Sequence, residues 1–304
     1  MVDQNLKQRK KLLKSKIRDK TGFKVSGSCD QVKAVLSELR SYVKEAERSS
    51  SFLMRTASLG MVTMLVAGIL GIWESTEFRL SNINYTPMIA LGAVGFVWLV
   101  VFLSMSTMTG INVEDRRYEL AESVLNVLSR DISKDERIRL NLKLHPVTAS
   151  HNRIKTIKAP SKSGWNISLY ADKWMQMQGV LLDGTKFSLA MTETRQNRSR
   201  YKISRSGKRK LKQKSKGASE VLLRLKVKSE KYPSIQDIEQ DYKLAKGAQI
   251  KKSKISDDRF AITAIWQQPK RRGPATGKIA KHDLAGCASL LFLGAYRSLN
   301  AVRA

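Results

Sequence analysis

Cysteine is nearly absent: 304 residues contain two, Cys29 and Cys287. That excludes a disulfide-stapled scaffold and a cysteine-rich zinc site. Three histidines leave little for a histidine-based metal cluster. Acids are scarce beside bases. Asp plus Glu number 26 against 56 Lys plus Arg, a formal net charge of +30. An ordinary acidic cytosolic enzyme is thereby set aside, and an anionic counterpart is predicted: phospholipid head groups, nucleic acid or an acidic protein. Apolar residues are plentiful at 42%, enough for a packed core and too many for wholesale disorder.

Two apolar runs carry no charge, Thr56 to Trp73 and Pro87 to Thr109. A helix rises about 1.5 Å per residue and the hydrocarbon core is about 30 Å thick. The first run sits near the short end of a spanning helix and the second is comfortably long. The polar link Glu74 to Thr86 is short enough to make them an antiparallel hairpin. Residues 1–55 hold 14 Lys/Arg against 6 acids, and the link holds only Arg79. The positive-inside rule then places both termini in the cytoplasm. No cleavable signal peptide is expected, because the first apolar run starts behind a long charged segment. Thr63, Ala67 and Gly71 in the first span, and Gly92 and Gly95 in the second, form small-residue faces. Such faces suit close helix packing, within the hairpin or in a homo-oligomer.

Residues 1–29 read as a basic N-terminal arm, and residues 30–136 as the hairpin (spans 56–73 and 87–109) with flanking amphipathic helices. Val32, Val35, Leu36, Leu39 and Val43 recur at helical spacing, behind Ser28 and Gln31, which resemble a capping box. Tyr118, Ala121, Val124, Leu125, Leu128 and Ile132 repeat that period.

Residues 137–304 hold 37 Lys/Arg against 11 Asp/Glu and read as a mostly antiparallel β domain with a few helices. Asp183-Gly184 between Trp174–Leu182 and Thr185–Glu193 is a hairpin signal. Further strands are expected at Trp165–Tyr170, Val221–Lys228 and Arg259–Trp266, and helices at Ser234–Leu244 and Leu284–Val302. The unbroken apolar part of the last helix is too short for a third span and suits a core or interfacial position. Between the hairpin and Val221, residues 195–216 carry 11 bases and no acid. Such a block repels itself and reads as a solvated Lys/Arg-rich loop.

No catalytic constellation stands out. His145 and His151 lack a further ligand nearby and read as surface histidines. His282, Asp283 and Cys287 offer a thiol and a base without an identifiable third member. Gly273 to Ile279 resembles a phosphate loop but has one residue too few between its glycines and no Ser or Thr after Lys278. No cofactor or metal is implied.

The sequence thus predicts an α+β membrane protein: a two-helix transmembrane hairpin holding a basic cytoplasmic domain beside the bilayer. Its expected role is a non-catalytic anchor, scaffold or sensor contacting anionic lipid or an acidic partner. The alternatives are an oligomeric channel-like effector, a membrane-bound enzyme and a nucleic-acid-binding protein. The residues expected to meet the anionic surface are Arg195, Arg198, Arg200, Lys208, Arg209, Lys210, Lys212 and Lys214.

Overall fold

Alternation of apolar and polar residues along the central strands builds one antiparallel sheet, and among the described residues three helices accompany it. The computed structural model describes residues 22–45, 48, 115–158, 164–228, 230–233, 244, 247–267, 271–272 and 284–301. Contacts divide the chain into two units, Met1–Glu38 with Val113–Ala304, and Leu39–Asn112. Of the second, residues 39–45 are helical. The sheet belongs wholly to the first.

In chain order the elements are β1 (Phe23–Gly27), α1 (residues 29–45), α2 (Asp115–Leu128), β2 (Ile138–Leu142), β3 (Arg153–Lys158), β4 (Asn166–Val180), β5 (Lys186–Ile203), β6 (Arg209–Lys226), β7 (Ala248–Ser256), β8 (Arg259–Gln267), β9 (Arg271–Arg272) and α3 (Leu284–Ala301). The sheet runs β1-β2-β4-β5-β6-β8-β7, with β3 on β4 and β9 on β6. Its core rows cross five strands in register. Leu140, Met177, Leu189, Leu223 and Ile262 form one row, and Leu142, Met175, Met191, Val221 and Ala264 the next; all ten are buried. Same-face neighbours on adjacent strands are the unit of sheet stabilisation, and a period of two fixes which face they share.

That apolar face is covered by helices. On α3, the helix expected at Leu284–Val302, Leu284, Ala288, Leu291, Ala295 and Leu299 are buried. Phe292 meets Phe187 of β5 edge to face, with centroids 5.7 Å apart. On α2, Tyr118, Ala121, Val124, Leu125 and Leu128 are buried, while Ile132 is buried beyond the helix end. The α1 capping box is formed at both ends. The Ser28 amide donates to Gln31 Oε1 at 3.1 Å, and the Gln31 amide donates to Ser28 Oγ at 3.4 Å. Lys33 Nζ then donates to Ser129 Oγ at 2.9 Å, tying α1 to the end of α2.

The fold class expected from the sequence is corrected by this architecture. Among the described residues no helix is long and apolar enough to cross a membrane. The physical reason is amphipathicity. α1 and α2 each bury one stripe and leave their other sides mostly polar, and the 18-residue α3 carries exposed Arg297 and Asn300 near its end, beside exposed Leu293. What stands is an α+β arrangement, a mostly antiparallel sheet with three helices. The integral-membrane, multi-pass placement with two spans and both termini cytoplasmic is corrected with it. So are the roles that depend on it, the bilayer-held anchor, scaffold or sensor and the channel-like hairpin oligomer. The runs at 56–73 and 87–109, with Thr63, Ala67, Gly71, Gly92 and Gly95, lie outside the described residues, as do residues 1–21 of the basic arm and residues 234–243 of the helix expected at Ser234–Leu244.

Candidate polyanion interface

The solvated loop expected at 195–216 is instead ordered strand. β5 continues to Ile203, the chain turns through Ser204–Lys208, and β6 returns from Arg209 with unbroken register to Lys226. The turn repeats the one at the other end of β5. In each, the first amide donates to the carbonyl four residues on: Leu181 to Thr185 and Ser204 to Lys208, both at 2.9 Å. In each, the fourth residue is a glycine at positive φ, +86° at Gly184 and +72° at Gly207. The left-handed conformation explains why glycine stands there. Ser206-Gly207 is thus the turn signal that makes a hairpin of the basic segment.

Alternation then sorts the charges. One face of this ribbon carries Arg198 opposite Lys214, Arg200 opposite Lys212 and Lys202 opposite Lys210, with Lys216 opposite Gln196. Three successive rungs therefore set cation against cation, which costs stability on folding. The other face carries Tyr201 and Ile203, opposite Leu211 and Arg209. The three apolar side chains on it are 51–70% exposed.

Aromatic rings spread part of the charge. The Arg200 guanidinium lies 4.8 Å from the Trp165 ring centroid and Lys214 Nζ lies 5.8 Å from it. The Arg209 guanidinium lies 4.2 Å from the Tyr201 ring. A cation over a ring face is attracted by its quadrupole, so these contacts fix side-chain directions without cancelling charge.

The ribbon is held at its root by a buried ion cluster. Arg117 of α2 donates through Nη1 to Asp172 Oδ2 at 2.6 Å and to the Lys143 carbonyl at 3.0 Å. Its Nη2 lies 3.7 Å from Glu193, and Lys143 Nζ lies 3.6 Å from Asp172. The guanidinium stacks on Trp174 at 5.4 Å. Arg195 pairs with Glu193 at 3.0 Å and is largely buried. Of the residues the sequence assigned to the anionic surface, Arg195 thus belongs to the root. Arg198, Arg200, Lys210, Lys212 and Lys214 come together on one face, Arg209 lies on the other, and Lys208 sits in the turn. Lys202, Lys216 and Trp165 complete the array. Strand alternation marks the two lysines once the segment is read as a hairpin. Trp165 carried no local signal beyond its strand.

The remaining candidates resolve as structure. The Asp183 carboxylate accepts from the Thr185 amide at 2.8 Å, the Thr185 hydroxyl at 2.7 Å and the Tyr232 hydroxyl at 3.1 Å. Burial pushes its pKa up, but these donors and the Lys231 charge outweigh it and hold the group below the usual carboxylate value. Burial, and then the Asp183 charge, push the Tyr296 phenol well above its ordinary range. His145 and His151 meet edge to face at 5.4 Å, and no group of three metal-ligating side chains occurs among the described residues. Cys29 and Cys287 are buried free thiols; burial, partly offset by Lys33, raises the pKa of Cys29. His282, Asp283 and residues 273–279 lie outside the described residues. No family model, curated protein or solved structure matches the chain.

Proposed function

We propose that this protein binds nucleic acid through the β5–β6 ribbon, mainly by phosphate contacts. The observation that carries the reading is the three rungs of cation facing cation on one face. Like charges placed across a ladder oppose folding; a polyanion laid along them turns that cost into binding by neutralisation and counterion release. Along each strand the cations recur every second residue, about 7 Å apart, so the array is linear like a phosphate backbone. A two-stranded ribbon also fits the roughly 12 Å major groove of a duplex. Exposed Tyr201, Ile203 and Leu211, on the ribbon's other face, offer apolar contacts to bases or sugars when the ribbon tip is inserted into a groove. The contacts available are positioning contacts to backbone, which predicts binding with little sequence preference.

The test is fluorescence anisotropy of the full chain with labelled duplex DNA, single-stranded DNA and RNA across a salt series. Anionic vesicles and an acidic polypeptide serve as competitors. The expected result is binding that weakens linearly in log K against log salt, with a slope near −0.9 per phosphate neutralised on duplex DNA. The variant Arg198→Gln/Arg200→Gln/Lys212→Gln/Lys214→Gln should reduce that slope by roughly 3 to 4. Unchanged affinity and slope in a variant that retains the wild-type circular dichroism and melting curve would refute the assignment. So would displacement of the probe by vesicles or acidic polypeptide at lower charge equivalents than by unlabelled DNA.

A further inference from the structure

The opposite end of β5 and β6 carries a second basic site. Phe187 faces α3, so Lys186 and Ser188, one residue to either side, point to the other face of the sheet. There a row in register crosses six strands: Arg139, Gln178, Ser188, Arg224, Ala261 and Lys254. The next row brings Lys186, Lys226 and Arg259 side by side. Small side chains at Ser188 and Ala261 stand among long cationic ones. The result is a groove of about 750 Å³ rather than a flat surface, with Arg137 on its wall. Among the described residues no Asp, Glu, His or Cys lines it, so its character is cationic throughout.

Its charge is partly committed and partly available. Asp258 pairs with Lys226 at 3.0 Å and with Arg259 at 3.3 Å. No described acid pairs with Arg137, Arg139, Lys186, Arg224 or Lys254. The groove is also separate from the ribbon. Between them the same face of β5–β6 shows Ala190 opposite Leu222, Thr192 opposite Glu220 and Thr194 opposite Ala218. That stretch holds no cation, and its acid Glu220 is paired with Lys251. From Ser188 to Arg198 the strand extends about 34 Å.

We infer that this groove is a binding site for a compact polyphosphate anion, such as a nucleoside triphosphate or a free polyphosphate chain. The volume falls in the range of small-molecule sites. Arginines on β2 and β6 offer bidentate forks suited to phosphate oxygens. Gln178 and Ser188 supply neutral hydrogen-bonding groups between them. A long nucleic acid following β5–β6 would need the cationic track to continue along these two strands, and the stretch without cations on them interrupts it.

The test is isothermal titration of the full chain with inorganic tripolyphosphate, ATP and AMP at fixed ionic strength. Three proteins are compared: wild type, Arg139→Gln/Arg224→Gln, and the ribbon variant above. Tripolyphosphate and ATP should saturate one site, with AMP weaker by roughly tenfold or more. The groove variant should weaken tripolyphosphate binding roughly tenfold or more, since it removes two charge-assisted contacts. The ribbon variant should leave it unchanged. ATP binding tighter than tripolyphosphate identifies a nucleotide site; equal affinities identify a site for the phosphate chain alone. Both outcomes support the inference. It is overturned if tripolyphosphate shows no saturable site, if AMP binds as well, or if the ribbon variant loses binding as the groove variant does. It is also overturned if the groove variant loses duplex affinity as much as the ribbon variant, which makes the groove part of the nucleic-acid path. Because ribbon and groove are changed separately, failure of this inference leaves the ribbon assignment independently testable. The groove variant alters exposed side chains, and the ribbon variant alters exposed Lys212 and Lys214 with half-buried Arg198 and Arg200; melting curves matching wild type confirm that each is folded.

Discussion

Asp183 shows how one side chain can belong to a turn and to the core at once. In sequence it is half of a turn dipeptide. In the structure its carboxylate gathers donors from Thr185 in its own turn and from Tyr232, 49 residues away. Lys231 Nζ adds a bond to its carbonyl at 2.9 Å. Replacing it with alanine leaves those partly buried donors unsatisfied, so Asp183→Ala should cost about 1–3 kcal/mol in urea unfolding at neutral pH. The pH dependence has a definite sign. The folded-state pKa lies below the unfolded value, near 3.9 for a free Asp. The stabilisation is therefore present above about pH 4 and is lost as pH falls through the folded-state value. The difference between wild type and Asp183→Ala should be flat from pH 7 to about 5 and shrink below about 4. A difference that grows toward acid would contradict that linkage. Gly179 makes a related point within a strand. A Cβ there would come within 2.8 Å of the Phe187 ring, so the glycine is what lets that ring lie across β4 and reach α3.

At the scale of elements, the ribbon depends on its anchorage. Arg117 is almost fully buried and reaches two acids on two strands, Asp172 on β4 and Glu193 on β5. Removing it leaves Asp172 as a buried charge with only Lys143 nearby. Arg117→Met should destabilise the fold by about 3–5 kcal/mol, and Arg117→Met/Asp172→Leu should recover much of that loss, because no isolated charge remains. Chemical denaturation of the two variants and wild type measures both. Equal destabilisation of the single and double variants would mean that packing on Trp174, not charge burial, holds α2 to the sheet. The helices were the most readable elements in the sequence. The stripe on α3 and the capping box of α1 are local signals, complete within one or two turns. The strands were readable where alternation met turn residues, as at Arg259–Trp266. β1, β2, β3 and β7 were not found. β3 and β7 are mostly exposed and lysine-bearing, and a charged edge strand resembles loop in composition. The same misreading made a loop of the ribbon: its composition says solvated, and its register with β4 and β6 says strand.

For the whole molecule the governing number is the net charge of +30. Self-repulsion of that size opposes the compact state and is relieved by screening. The melting temperature of the full chain should therefore rise as monovalent salt increases from about 0.02 to 0.5 M, across the range where the Debye length falls below the cation spacing. The ribbon variant, with four fewer positive charges, should show a smaller rise. Scanning fluorimetry across the series measures both, and a melting temperature that falls with salt in both proteins would show that net attraction between charges dominates instead.

The sequence by itself determined the basic character, the amphipathic stripes of the described helices, the capping box and the turn at Gly184. Each of these is a property of composition or of neighbours a few residues apart. The tertiary structure alone decided which cations share a face, that Arg195 is consumed at the ribbon root, and that distant residues such as Arg139, Arg224 and Lys254 line one groove. Those facts depend on strand pairing that puts residues far apart in sequence, such as Arg139, Arg224 and Lys254, in one row, and on register, where a shift of one residue would turn every side chain to the other face. The membrane reading rested on the length and apolarity of two runs. The described helices gave the opposite answer for themselves, because none is long and apolar enough to cross a membrane.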